Sequence, residues 1–145
     1  MKEYVGIKRI SAEPMNRGDY NKYRGWIIPE NENPEDEGYL VKYPDNYESW
    51  SPKNAFEEAY TELGSNTLID SVLLMKSKDF KERFKAEHIQ LKYRLNKLKL
   101  MVNNWNNLSF IPTCSKDVYD EQIKYMQGYL NVLNNRSEIE HIDVD

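Results

Sequence analysis

Between residues 77 and 139 the apolar positions repeat with a helical period. Phe84, His88, Leu91, Leu95, Leu98, Val102 and Trp105 advance by alternating steps of 4 and 3, which sets them along one seam of a long α-helix. A short loop with Pro112, Thr113, Cys114 and Ser115 follows, and then a second long helix that carries two apolar series. Tyr119, Ile123, Met126, Leu130 and Leu133 form the first; Val118, Gln122, Tyr125, Tyr129, Val132 and Ile139 lie on a neighbouring face. One hairpin partner covers only one of them. The second series therefore predicts self-association, through Tyr125, Tyr129, Val132 and Ile139. Asp79 with Glu82 three places on predicts a capping box for the first helix. Pro112 prevents its continuation, and Ser115 caps the second helix.

The first half reads differently. Residues 4–10 alternate, with Val5 and Ile7 on one face, and predict a strand; Trp26, Ile27 and Ile28 predict a second, and 19–23 one helical turn. Residues 29–38 hold two prolines and five acidic side chains, an exposed loop with no packing role evident from composition. A hairpin is expected over 38–50 around Pro44-Asp45-Asn46. Ser51-Pro52 opens a helix over 52–62 with Phe56, Ala59 and Tyr60 on its inner side, and Gly64 stops it. A short helix is expected within 64–76, and the tail from His141 onward is expected to fray. The fold class is α+β: a small N-terminal antiparallel sheet with one helix over 1–63, then a long antiparallel helical hairpin over 64–145. The first part has too few apolar side chains to be comfortably stable alone.

Composition narrows the function classes. Of 145 residues 39% are hydrophobic and 30% charged, and no apolar run approaches membrane-spanning length. Residues 1–10 lack the apolar core of a signal peptide. The single cysteine, Cys114, gives no internal disulfide and no zinc spacing, which suits a reducing cytoplasm. The net charge of −4 is unevenly spread: 1–62 carry 8 basic and 13 acidic side chains, 63–111 carry 9 and 4, and 112–145 carry 3 and 7. Lys78, Lys81, Lys85, Lys92 and Lys99 fall near one face of the first long helix. They read either as a solvated face paired with the acidic second helix or as a site for phosphates. An acidic whole argues against bulk nucleic acid, so a phosphate partner should be small, and without a membrane segment no membrane partner is expected.

Catalytic material is scarce. His88 and His141 lie far apart with no serine or cysteine motif beside either, and His88 sits in the helical seam as a core or interface residue. Cys114 has no obvious base and reads as a loop cysteine. No carboxylate pair, metal motif, phosphate loop or dinucleotide fingerprint is present, so no catalytic residue, metal or cofactor is expected. Tyr20, Tyr23, Arg24 and Trp26 gather aromatic faces and a guanidinium within seven positions, a combination that stacks on bases and pairs with phosphate. Their alternative role is structural, with Trp26 and Trp50 packed against the Phe56 helix.

Arg17-Gly18-Asp19-Tyr20, Arg24-Gly25-Trp26, Glu32-Asn33-Pro34, Asp36-Glu37-Gly38-Tyr39 and Ser49-Trp50-Ser51-Pro52 resemble an N-terminal module of small phage proteins, one found ahead of domains similar to Thoeris anti-defence proteins. Residues 81–87, Pro112-Thr113-Cys114 and Met126-Gln127-Gly128-Tyr129-Leu130 are similar to a helical-hairpin family common in phages, including crAss-like phages. The hairpin is also loosely similar to that of anti-CBASS and Thoeris sponges. The resemblance implies a non-enzymatic anti-defence protein in the cytoplasm of the infected bacterial host, which assembles into a homo-oligomer such as a hexamer and sequesters a cyclic nucleotide immune signal without cleaving it. No pocket residue of those sponges matches position by position. The expected ligand contacts are therefore chosen from this chain's own basic and aromatic residues: Arg24, Tyr23, Arg83, Lys92 and Tyr129. The alternative is a protein–protein adaptor of a phage with no small-molecule ligand.

Overall fold

The computed structural model describes residues 1–65 and 67–144, which divide into two compact units, Met1–Glu62 and Leu63–Asp145. In the first, β1 (Ser11–Pro14) leads into α1 (Arg17–Tyr23), then β2 (Gly38–Lys42), β3 (Glu48–Pro52) and α2 (Lys53–Ala59). The strands form one antiparallel sheet in the order β1-β2-β3, with Leu40 opposite both Glu13 and Trp50, and Val41 opposite Ala12 and Ser49. Side chains alternate across a sheet, so Leu40 and Trp50 share one face while Tyr39 and Val41 share the other. Phe56 of α2 stacks on Tyr39 with ring centroids 4.1 Å apart. On the opposite face Arg17 of α1 lies 5.0 Å from the Trp50 ring, and Tyr23 reaches Glu48. The sheet is thus held between two short helices, and this layering gives a small unit its core.

Three expectations for this unit change. The strand expected over 4–10 is absent; pairing begins at Ser11 and uses a polar edge strand whose Pro14 closes it, a position where a missing N–H is tolerated. Trp26–Ile28 form no strand. Gly25, at φ +69°, instead terminates α1, and the Trp26 N–H donates to the Asn21 carbonyl. The acidic loop over 29–38 does have a packing role. Gly18 N–H donates to Pro34 O and Arg17 N–H to Asp36 O, both at 2.9 Å, and a Cβ on Gly18 would come within 2.7 Å of Pro34 Cβ. The hairpin over 38–50 forms as expected, with Asn46 in the left-handed region. α2 is shorter than 52–62: Pro52 is its N-cap, and Ala59 is exposed while Phe56 and Tyr60 are half-buried.

The second unit begins with α3 (Thr67–Asp70) and α4 (Val72–Met75), two turns in place of one short helix. Then come α5 (Phe80–Asn103), a 3₁₀ turn (Trp105–Asn107) and α6 (Lys116–Ile139). The Asp79 side chain caps α5 by accepting from the Lys81 N–H; Ser115 occupies the N-cap position of α6 without a side-chain bond. His88 meets Asn134, Lys99 meets Gln127 and Trp105 meets Tyr119. Because these pairs advance along α5 while retreating along α6, the long helices are antiparallel. Phe84, His88, Leu95 and Val102 of the seam are buried, facing Leu130 and Leu133. α5 also has a second buried face under α3 and α4, where Ala86 is fully buried and Gln90 Nε2 donates to Ser71 Oγ at 2.8 Å.

The tail expected to fray is ordered over its described residues, 141–144, and Asp145 lies outside them. Glu140 and His141 end α6, with His141 at φ +53°, and the Ile142 N–H donates back to Ser137 O at 2.9 Å. That is a Schellman closure with histidine in the left-handed position. It turns Ile142 into the core beside Phe84 and Leu133, with Leu91 and Val144 packed around them.

Candidate functional site

The turned-in tail builds one wall of a groove of about 420 Å³ whose other walls are α5 and α6. His88 and Lys92 project from α5, Leu130, Asn134, Ser137 and Glu138 from α6, and Ile142, Asp143 and Val144 from the tail. The lining combines an apolar part (Leu130, Ile142, Val144) with groups that donate, accept and carry charge of both signs, a mixture suited to a small polar ligand. His88 is fixed here. Its Nε2 lies 2.8 Å from Asn134 Oδ1, and Ser137 Oγ donates to the Asn134 carbonyl at 2.7 Å. His88 Nδ1 is buried and has no hydrogen-bond partner among the described residues, which is costly for a polar atom away from water.

The five expected ligand residues fall in both units. Tyr23 and Arg24 stand together at the end of α1. The Tyr23 hydroxyl donates to Glu48 at 2.9 Å, a bond to a carboxylate that raises the phenol pKa, and the Arg24 guanidinium lies 4.9 Å from the Trp26 ring. Trp26 meets Tyr20 edge-on, while Trp50 donates its indole N–H to the Met15 carbonyl. Neither tryptophan packs against the Phe56 helix in these contacts; both belong to the α1 side. Lys92 lines the groove. Arg83 does not, since its Nη1 donates to the Ser77 and Lys78 carbonyls at 2.8 Å and so closes the turn before α5. Tyr129 lies on the other face of α6 with Val118 (51% exposed), Tyr125 (66%), Val132 (56%) and Ile139 (68%). Tyr125, Tyr129, Val132 and Ile139 are the positions expected to meet a partner.

Sequence reasoning missed Asn134, Ser137 and the tail residues as site components. One signal for two of them exists: Leu130, Leu133 and Ser137 continue the 3-and-4 spacing of the α5-facing seam, so a polar Ser137 and its neighbour Asn134 come level with His88. The role of Ile142 has no comparable local signal. Among the described residues no three His, Cys, Asp or Glu side chains converge as a metal site, and no helix is long and apolar enough to cross a membrane.

Fold and groove together define a helical-hairpin protein with a small sheet-and-helix unit ahead of the hairpin. Residues 78–139 match the Sequestin family model, a span that takes in α5, α6 and the loop between them. No curated protein and no solved structure matches the chain.

Proposed function

We propose that this chain is a phage anti-defence protein that self-associates and captures a small anionic nucleotide signal of the CBASS or Thoeris type in the bacterial cytoplasm, holding it without cleavage. The observation that carries this reading is the match of both long helices to Sequestin, a family whose name denotes sequestration. The groove offers Lys92 for a phosphate, hydrogen-bonding groups at Asn134 and Ser137, and an apolar wall for a base or ribose, with the carboxylates of Glu138 and Asp143 also in its lining. Tyr23 and Arg24 beside Trp26 offer a stacking surface of the same kind in the first unit. Capture acts by stoichiometry, so the chain needs no catalytic group. Titration calorimetry against cyclic di- and trinucleotides and cyclic ADP-ribose isomers should give heat with at least one, and chromatography after heat denaturation should return that nucleotide intact. No heat with any of them, or recovery of a cleaved product, overturns the reading.

One observation favours the second reading, an adaptor with no small-molecule ligand. The apolar stripe of α6 from Val118 to Ile139 is exposed, as a protein-docking face is. An adaptor gives no heat with nucleotides and co-purifies in a fixed ratio with a defined protein.

A further inference from the structure

Val118, Tyr125, Tyr129, Val132 and Ile139 form an exposed stripe about 32 Å long on α6. We propose that it docks on the same stripe of a second copy, the two α6 helices running antiparallel about a two-fold axis between Gly128 and Tyr129. A two-fold contact requires a surface that is its own complement. α6 meets that requirement. Positions equally far from the midpoint pair as Gly128 with Tyr129, Tyr125 with Val132, Glu121 with Arg136 and Val118 with Ile139. Apolar side chains meet apolar ones, the acid meets the base, and the tyrosine ring meets the residue with no side chain.

Gly128 gives the register independent support. Glycine in the middle of a helix weakens it, and no heavy atom lies within 4 Å of where its Cβ would stand, so packing within the chain does not require it. Across an interface with helix axes 8–10 Å apart, the missing side chain leaves room for the partner's Tyr129. Among the described residues Glu121 carries a single long 3.4 Å bond, from the Tyr125 hydroxyl. Arg136 lies against Phe84 and is bonded to Glu140; in the pair it shares its guanidinium between Glu140 and the partner's Glu121. A partner of unrelated sequence would not call for this internal symmetry.

The register rests on the self-association in the reading above, and its test uses no nucleotide. Two full-length variants are made in a Cys114→Ser background, Tyr125→Cys and Val132→Cys. Mixed and oxidised, they should form a cross-linked pair containing one of each. Alone, neither should cross-link, because equivalent residues in the two copies stand about 10 Å apart along the axis. Glu121→Arg and Arg136→Glu should each weaken the dimer about tenfold, and the double variant should restore it. Gly128→Leu should abolish the dimer while circular dichroism shows helix content kept or raised, which separates a blocked interface from a misfolded chain. A wild-type monomer in light scattering, no cross-link in the mixture, or cross-linking of either variant with itself overturns the proposal. Nucleotide titration of the monomeric Gly128→Leu protein then reports on capture separately.

Discussion

Glu32 shows how one residue ties the acidic loop to the first unit. Arg17 grips its carboxylate with two bonds, Nε at 2.8 Å and Nη2 at 2.6 Å, and Asn21 Nδ2 adds a third at 3.0 Å. The hydrogen bonds from Arg17, then that from Asn21, hold its pKa at about 2 against an ordinary 4.5. Because the folded state resists protonation, this stabilisation is present above the ordinary value and is lost as pH falls from about 4.5 toward 2. Urea midpoints of the first unit, followed by tryptophan fluorescence in a Trp105→Phe background, should fall over that range, and Glu32→Gln should lower the midpoint at pH 7 while flattening the decline. An unchanged decline in Glu32→Gln would assign it to other carboxylates. The pair spans 15 residues, and nothing local marks it; a loop rich in Glu, Asp and Pro looks solvent-directed until its arginine is located. His141 is similar in kind. A histidine at φ +53° does work that sequence reading assigns to glycine, so His141→Gly should raise the stability of the second unit by up to about 1 kcal/mol.

The elements best read from the sequence were those whose signal is periodic and whose partner is close along the chain. The 4-and-3 spacing found both long helices and the α5–α6 seam, and the Pro44-Asp45-Asn46 turn found the β2–β3 hairpin. What failed depended on distant partners. Residues 4–10 have better strand alternation than Ser11–Pro14, yet β2 pairs with the latter, because register is chosen by the sheet rather than by the strand's own pattern. The second buried face of α5 was invisible because Ala86 and Gln90 make no apolar stripe; Ala86 is buried and Gln90 half-buried where α3 and α4 pack on α5. The tail failed for the reason His141 illustrates. Its consequence is testable: Ile142 is 5% exposed beside Phe84 and Leu133, so Ile142→Ala should cost about 2–4 kcal/mol of second-unit stability in denaturation followed by helical circular dichroism. A frayed tail would leave the midpoint unchanged. Since Ile142, Asp143 and Val144 also wall the groove, the same variant should weaken whatever the groove binds.

For the molecule as a whole, the division at Glu62 and Leu63 places the candidate ligand residues in separate bodies: Tyr23 and Arg24 in one, Lys92 and the groove in the other. Their charges also differ, because the first unit is net −5 while the second is net +1, with +5 over 63–111 and −4 over 112–145. An anionic ligand is drawn toward the basic α5 rather than toward the acidic first unit. The Sequestin match lies wholly in the second body, and that body has its own buried seam, caps and closing tail. Residues 63–145 produced alone should therefore unfold cooperatively as a helical protein and keep nucleotide affinity within about threefold of the full chain, a difference of about 0.7 kcal/mol. Calorimetry of this fragment beside the full chain, each also measured as Lys92→Ala, checks it. If the fragment folds but loses binding while Arg24→Ala abolishes binding in the full chain, the stacking surface at Tyr23, Arg24 and Trp26 holds the ligand and the groove does not. If it binds as the full chain does and Lys92→Ala weakens both about tenfold, capture belongs to the hairpin.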